Sequence, residues 1–108
     1  MRSLSIIIPA HNEEHGIGPT IQRLRTVAAA QDWDMELIVV DDGSSDRTGD
    51  VARDAGATVI MNPVNGGYGL SLQRGIRAAR HELVAITDAD GTYPVEDLAA
   101  LAAMMDRG

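Results

Sequence analysis

Short apolar runs alternate along the chain with segments in which apolar residues recur at helical spacing. Four runs, at residues 4–9, 37–40, 58–61 and 83–87, are rich in β-branched residues and bounded by Gly, Asp, Asn or Pro. Their apolar residues are continuous rather than alternating, which is typical of strands buried on both faces of a parallel sheet. The pattern therefore predicts four buried strands.

The segments that follow the four runs have the spacing of amphipathic helices. Pro19 lies near the start of the first helix as a first-turn residue, and Pro94 opens the fourth. For the second helix we expect Ser45 to be the N-cap, with the helix running through Val51 and Ala55. The apolar faces of the other three comprise, in chain order, Ile17, Ile21, Leu24 and Ala28; Leu72, Ile76 and Ala79; and Leu98, Leu101 and Met105.

Strands and helices thus alternate in the order β-α-β-α-β-α-β-α. Strands separated by helices cannot form hairpins, so we expect an α/β fold with parallel pairing through right-handed crossovers. The 108 residues, 44% of them apolar, suffice for a single domain with one modest core. A four-stranded sheet has open edges that invite pairing, so we expect a homo-oligomer. We also expect the chain to be the first half of a larger protein.

Composition excludes several classes of protein. The chain has 16 acidic and nine basic residues and a net charge of -7, which argues against nucleic-acid binding. It has no cysteine, which excludes a disulfide scaffold and any Cys-ligated metal site. No run approaches the about 20 apolar residues of a membrane span, and the N-terminus lacks the apolar core of a signal peptide. We therefore expect a soluble, cytoplasmic chain.

Polar residues follow every predicted strand. They lie at residues 11–14, 41–46, 62–69 and 88–92, and the carboxyl ends of strands are where open α/β sheets bind ligands. Seven of the 16 acidic residues are in these segments: Glu13, Glu14, Asp41, Asp42, Asp46, Asp88 and Asp90. The topology therefore predicts that they gather at one edge of the sheet.

Asp88 and Asp90 are the pair of carboxylates that most clearly indicates a functional site. Two carboxylates that leave a buried strand two residues apart raise each other's pKa or bind a cation. Oxygen donors without His or Cys suit Mg²⁺ or Mn²⁺, and such a cation would also hold a diphosphate that an acidic protein otherwise repels. The alternative is a solvated acidic turn in which an Asp caps the next helix.

The second and third polar segments also have two interpretations each. Asp41 and Asp42 are either turn formers before Gly43 or acceptors for a base or ribose. The Gly-rich segment 65–69 opens a helix, where glycines let the backbone approach a phosphate; the alternative is a flexible loop with a cap. Tyr68 either stacks on a ligand or covers the loop. His11 is a candidate lining residue.

Four motifs together carry a resemblance to a known family. They lie at residues 5–14, 36–46, 65–75 and 88–94, in the family's order and spacing. The chain resembles the N-terminal, nucleotide-sugar-binding half of family-2 glycosyltransferases, which have the Rossmann-like GT-A fold. It is most similar to the dolichyl- or polyprenyl-phosphate sugar transferases.

The resemblance implies a role for individual residues. Asp42 would read the base with support from Asp41. Asp88 would face the ribose or donor sugar and Asp90 would ligate the metal on the diphosphate, so these two would be the catalytic residues. Thr92 would be a second metal ligand. The remaining residues that would border the nucleotide sugar are Pro9, Ala10, Asn12, Glu13, Asn65, Gly67 and Ala89.

The resemblance also implies a reaction. A sugar would pass from a UDP- or GDP-sugar to an acceptor such as a polyprenyl or dolichyl phosphate, with inversion and with Mg²⁺ or Mn²⁺ as Lewis acid. The acceptor-binding half would lie beyond residues 1–108, and the full-length protein would be membrane-associated. Tyr68 stands where many relatives have Lys or Arg, so Arg74 or Arg77 would supply charge to the phosphates.

Other classes fit the residues less well. Residues 88–92 match the nucleophile motif of haloacid-dehalogenase phosphatases, and the acidic strand ends suit a response-regulator receiver domain. Both classes require a lysine, and all nine basic residues are Arg. The remaining alternative is a module that binds a nucleotide sugar without turnover.

Overall fold

Residues 2–90, the part of the chain described by the computed structural model, form a four-stranded parallel sheet. The elements in chain order are β1 (Arg2–Ala10), α1 (Ile17–Gln31), β2 (Trp33–Asp42), α2 (Thr48–Asp54), β3 (Thr58–Asn62), α3 (Tyr68–Ala78) and β4 (Val84–Ile86). The strand order is β3-β2-β1-β4, and each neighbouring pair is parallel. The predicted α/β class is confirmed, whereas the helix expected from Pro94 lies outside the described residues.

The apolar runs of β1 and β2 are continuous because both faces of the sheet are covered. Ile6, Ile8 and Val39 lie on the face that α1 and α2 cover, whereas Ile7 and Val40 lie on the face under α3. All five side chains are fully buried. Burial of each stabilises the fold by about 1.5–3 kcal/mol, so the two central strands contribute most of the core.

Backbone pairing extends the central strands beyond their apolar runs. β1 pairs with β2 from Arg2↔Trp33 to Ala10↔Asp41, so both strands include polar positions that the predicted runs 4–9 and 37–40 left out. At β4 the ladder reaches past the strand itself, because Leu83 O accepts from Ser5 N at 2.9 Å and Thr87 N donates to Ile7 O at 3.1 Å. This ladder covers the predicted run 83–87.

The start of α2 differs from the prediction. The helix begins at Thr48, and Arg47 rather than Ser45 occupies the N-cap position. Ser45 is engaged elsewhere, because its backbone N–H donates to Asn12 Oδ1 at 2.8 Å and its hydroxyl to the same atom at 3.2 Å. Ser45 therefore joins two loops, while Asp46 Oδ1 accepts from the first N–H of the helix, that of Thr48, at 2.9 Å.

The apolar face of α3 is rotated relative to the prediction. Leu72 and Ala79 pack on the sheet as expected, but Ile76 is 50% exposed. Gly75 is buried in its place, and a Cβ there would collide with Ile7 Cγ2. The missing side chain lets the helix approach the sheet closely, and this approach turns Ile76 toward solvent.

A mostly buried carboxylate joins the segment after α3 to the amino ends of the central strands. Glu36 accepts from Ser5 Oγ at 2.8 Å, Arg80 N at 2.9 Å and Arg80 Nε at 2.8 Å. Burial alone raises the pKa of Glu36, but the hydrogen bonds from Arg80 and Ser5 and the charge of Arg80 outweigh it, so the pKa lies below 4.5. The neighbouring His81 is half-buried.

Replacement of Glu36 by Gln is expected to lower the free energy of unfolding at pH 7 by about 1 kcal/mol. The loss is modest because Gln keeps one oxygen acceptor and because the Arg80 side chain is 71% exposed. A depressed pKa stabilises the fold above the unfolded value, and this contribution is lost as pH falls through the folded value. Urea titrations from pH 7 to pH 3 should therefore show a shallower acid loss in Glu36→Gln.

Glu82 provides the control, because Glu82→Gln also removes one negative charge but does so at an exposed side chain. That variant should stay within about 0.5 kcal/mol of the wild type. Equal effects of the two substitutions would contradict the role given to Glu36.

Candidate functional site

The first two polar loops interlock at the carboxyl edge of the sheet. Asn12 N donates to Ser44 Oγ at 2.9 Å, while Asn12 Oδ1 accepts from Ser45. Asn12 has a φ of 52°, a left-handed conformation that Asn tolerates better than most residues. The β1–α1 loop is thus fixed to the β2–α2 loop through a residue that the sequence predicted to border a nucleotide.

A second set of bonds joins the same two loops. Glu13 N donates to Thr48 Oγ1 at 2.8 Å, and Glu14 N donates to Asp46 Oδ2 at 3.2 Å. In return, Arg47 N donates to Glu14 Oε2 at 3.3 Å. The Thr48 hydroxyl, followed by the N–H groups of Thr48 and Glu14, lowers the pKa of the Asp46 carboxyl. Asp46 therefore acts in this site as an anchor of the loops.

Asp42 holds the Gly-rich loop onto the end of β2. Its Oδ1 accepts from Asn62 Nδ2 and Gly66 N, both at 2.8 Å, and its Oδ2 accepts from Gly67 N at 2.9 Å. The residue is only 6% exposed. Burial alone raises the pKa of Asp42, but these three hydrogen bonds and the nearby His11 hold it below 3.8. A carboxylate offers about four acceptor positions, which leaves one for another donor.

A buried polar network under this loop was not predicted from the sequence. Asn62 Nδ2 also contacts Ser71 Oγ at 3.2 Å, and Asn62 Oδ1 accepts from the guanidinium of Arg74. Arg74 also donates to Met61 O at 3.1 Å. Arg74 is thus bound to the end of β3, whereas Arg77 is exposed on α3. The sequence feature that could have indicated this network is Asn62, a polar residue at the end of an apolar strand.

Asp41 and Asp42 face opposite sides of the sheet, as adjacent residues of a strand do. Asp41 is buried, and its Oδ1 accepts from Ser44 N at 3.2 Å. Its Oδ2 lies against Gly49 of α2, where an added Cβ would come within 2.8 Å of it. The two carboxylates therefore organise two different loops.

A cavity of about 160 Å³ opens beside Asp42. Its lining residues are Pro9, Ala10, His11, Asp42, Tyr68 and Ser71. His11 Nδ1 lies 2.8 Å from Asp42 O, so the ring donates through Nδ1. Its Nε2 then faces the carboxamide nitrogens of Asn12 at 3.3 Å and Asn65 at 3.5 Å. The cavity thus unites predicted site residues from β1, β2 and the Gly-rich loop, whereas Ser71 was not predicted.

The acidic turn after β4 is fixed through its middle residue. Ala89 is buried, and its carbonyl accepts from Thr20 Oγ1 at 3.2 Å, whereas Asp88 and Asp90 are exposed on either side. Such carboxylate oxygens match the preference of Mg²⁺ for one or two carboxylates together with substrate phosphates. Within residues 2–90 no three His, Asp or Glu side chains cluster to hold a metal, and Thr92 lies outside this range.

No helix within residues 2–90 has the length and apolarity that crossing a membrane requires.

The fold and the site together define a class of protein. A parallel α/β sheet with polar loops, a cavity and exposed carboxylates at the carboxyl ends of its strands has the architecture of nucleotide-binding proteins. Residues 5–108 match the model of the family described as glycosyl transferase family 2. The chain belongs to this family, and its fold is the Rossmann-like GT-A fold of its structural neighbours.

Named relatives agree with this assignment. An uncharacterized glycosyltransferase of Mycobacterium tuberculosis is 36% identical over 98% of this chain and 45% of its own length. The dolichyl-phosphate hexose transferase of Haloferax volcanii is 36% identical over 88% of this chain and 40% of its own. Among solved structures, glucosyl-3-phosphoglycerate synthase from M. tuberculosis, with Mn²⁺, UDP and phosphoglyceric acid, has a TM-score of 0.69 and 33% identity. That match covers 82% of this chain and 33% of the synthase. The chain thus spans less than half the length of each relative.

Proposed function

We propose that residues 1–108 form the nucleotide-sugar-binding part of a glycosyltransferase whose acceptor-binding half lies elsewhere in a longer protein. The observation that carries the proposal is the cavity between Pro9, His11 and Asp42 at the end of the central strands. The acidic turn that contains Asp88 and Asp90 follows β4, which pairs directly with β1. A base in the cavity and a diphosphate at the turn would therefore bind along one edge of the sheet.

The donor would contact residues on three strand ends and the Gly-rich loop. The one acceptor position left on Asp42 is available to an N–H of the base, while Asp41 supports the neighbouring loop. Asp88 faces the ribose or donor sugar in this proposal. The other residues that we expect at the nucleotide sugar are Pro9, Ala10, Asn12, Glu13, Asn65, Gly67 and Ala89.

We further propose that Mg²⁺ or Mn²⁺ is held by Asp90 with Thr92. The exposed carboxylate fits such a cation, and the M. tuberculosis synthase has been crystallised with UDP and either Mn²⁺ or Mg²⁺. When bound, the cation would offset negative charge on the departing nucleoside diphosphate as a Lewis acid. It would also counter repulsion of the diphosphate by a chain with a net charge of -7.

The proposed reaction is an inverting displacement at the anomeric carbon. The acceptor oxygen forms the new bond to that carbon as the bond to the diphosphate oxygen breaks, and the nucleoside diphosphate leaves with the electron pair. We propose a polyprenyl or dolichyl phosphate as acceptor, supported by the name of the Haloferax volcanii relative. A phosphate oxygen is already anionic, so such an acceptor needs no general base.

The second candidate function is nucleotide-sugar binding without turnover by these 108 residues alone. It is favoured by the short span of the chain relative to its relatives. A cytoplasmic location, membrane association of the longer protein and self-association through the edge strands β3 and β4 stay predictions.

Calorimetric titration of the chain with UDP and with GDP tests the donor site. Each nucleotide is titrated with Mn²⁺, with Mg²⁺ and with EDTA. We expect one of the two nucleotides to bind, with an affinity that falls when EDTA removes the metal. Binding of neither nucleotide in the presence of metal would contradict a donor site formed by this chain.

A further inference from the structure

The turn at residues 88–90 is joined to the first helix by a hydrogen bond between distant parts of the chain. Thr20 Oγ1 donates to Ala89 O, across 69 residues of sequence, and both residues are buried. A helical threonine commonly donates its hydroxyl to a carbonyl of its own helix, as Thr26 does to Gln22 O at 3.1 Å. Thr20 instead donates to the carbonyl of a buried residue in a different part of the fold.

Gly16 provides the space for this attachment. A Cβ at this position would lie 3.0 Å from Ala89 O and 3.2 Å from Asp90 Cα, and these backbone atoms have little room to move. The backbone of Gly16 has an ordinary φ of -95°, so the position excludes a side chain for reasons of space. Glu13 Oε2 lies 3.2 Å from the same point. The first loop, α1 and the acidic turn therefore meet at Gly16.

The attachment determines where the two carboxylates lie. Ala89 is only 4% exposed and belongs to the core cluster under α1. With the methyl group packed inward and the carbonyl bonded to Thr20, the flanking Asp88 and Asp90 are left exposed on the outer side of the turn. Ala89 is thus a point at which the turn is fixed to α1.

We propose that Thr20 is a positioning residue for the acidic turn, with Gly16 as its spatial partner. Its hydroxyl fixes Ala89 and thereby holds Asp88 and Asp90 ready for a metal–diphosphate ligand. The attachment itself is independent of ligand; its consequence for binding rests on the proposed function above.

Three variants of α1 separate this role from general stability. Thr20→Val removes the hydroxyl at nearly constant volume, Thr20→Ser keeps it, and Thr26→Val removes a hydroxyl that bonds only within the helix. Amide hydrogen exchange is measured across the chain. In Thr20→Val we expect exchange at residues 88–90 to accelerate about fivefold, the effect of one lost hydrogen bond, with β1 and β2 unchanged. Thr20→Ser and Thr26→Val should match the wild type at these residues.

The same variants are then titrated with UDP and GDP, with Mn²⁺ and with EDTA. Thr20→Val should weaken the Mn²⁺-dependent affinity about fivefold and leave the affinity in EDTA unchanged. The proposal is overturned if Thr20→Val matches Thr26→Val in exchange, if Thr20→Ser matches Thr20→Val, or if β1 and β2 accelerate equally. If the wild type binds neither nucleotide, the proposed function fails, while the exchange data still decide the attachment.

Discussion

Replacement of Asp42 by Asn is expected to lower the free energy of unfolding by about 2–3 kcal/mol. The wild-type carboxylate accepts hydrogen bonds from Asn62, Gly66 and Gly67 in a nearly buried position. The carboxamide of Asn turns one acceptor oxygen into an NH₂ group that faces a donor. At least one N–H of the Gly-rich loop or of Asn62 is then left without an acceptor.

Urea unfolding of Asp42→Asn, measured beside Asp34→Asn, checks this result. Asp34 lies on the same strand but is exposed, and it accepts a long hydrogen bond of 3.4 Å from Ser3 Oγ. We expect Asp34→Asn to change stability by less than about 0.5 kcal/mol. Comparable losses in the two variants would show that Asp42 does not hold the loop.

The pH dependence of the same variant follows from the lowered pKa of Asp42. A carboxyl whose pKa is depressed by folding stabilises the protein fully above its unfolded value of about 3.9 and loses this contribution as pH falls through the folded value. Asp42→Asn should therefore be less stable than the wild type at pH 7 and approach it at the lowest pH. If the two stabilities converge at low pH, the loss at pH 7 comes from the charge-assisted hydrogen bonds. A packing defect would instead lower the stability of the variant at every pH.

The sequence predicted the sheet well because each central strand is buried on both faces. Residues such as Ile7 and Val39 face different helices, so no polar position interrupts the run. The helix faces were predicted less well where glycine decides the contact. Periodicity placed Ile76 against the sheet, but Gly75 allows a closer approach and takes that position.

The loops show a different limit of sequence reasoning. The topology predicts that acidic residues gather at the strand ends, but it does not predict their hydrogen-bond partners. Ser45 was expected to cap its own helix and instead bonds to Asn12, which is 33 residues away. The contact between Asn62 and Asp42 likewise joins two strand ends. Local spacing carries no information on such pairs, because register and loop conformation bring them together.

The two pairs of neighbouring carboxylates have different consequences for function. Asp41 and Asp42 are buried and bonded to the protein itself, so each stabilises a loop. Asp88 and Asp90 are exposed on a turn that Ala89 already fixes. A ligand cation requires carboxylates that the fold leaves accessible. Because Asp88 and Asp90 are both exposed to solvent, they are the pair at which substitution should alter metal-dependent binding.

Replacement of Asp90 by Ala is accordingly expected to weaken binding of UDP or GDP in the presence of Mn²⁺ by more than tenfold, about 1.4 kcal/mol. The affinity measured in EDTA should stay the same, because the substitution removes the proposed oxygen ligand of the metal and leaves the cavity beside Asp42 intact. Asp54→Ala, which removes an exposed carboxylate from α2, is the control and should bind as the wild type does. Calorimetric titration, with thermal unfolding to verify the fold, measures these effects. An unchanged affinity of Asp90→Ala in Mn²⁺ would remove Asp90 from the site and leave the cavity as the sole support for nucleotide binding.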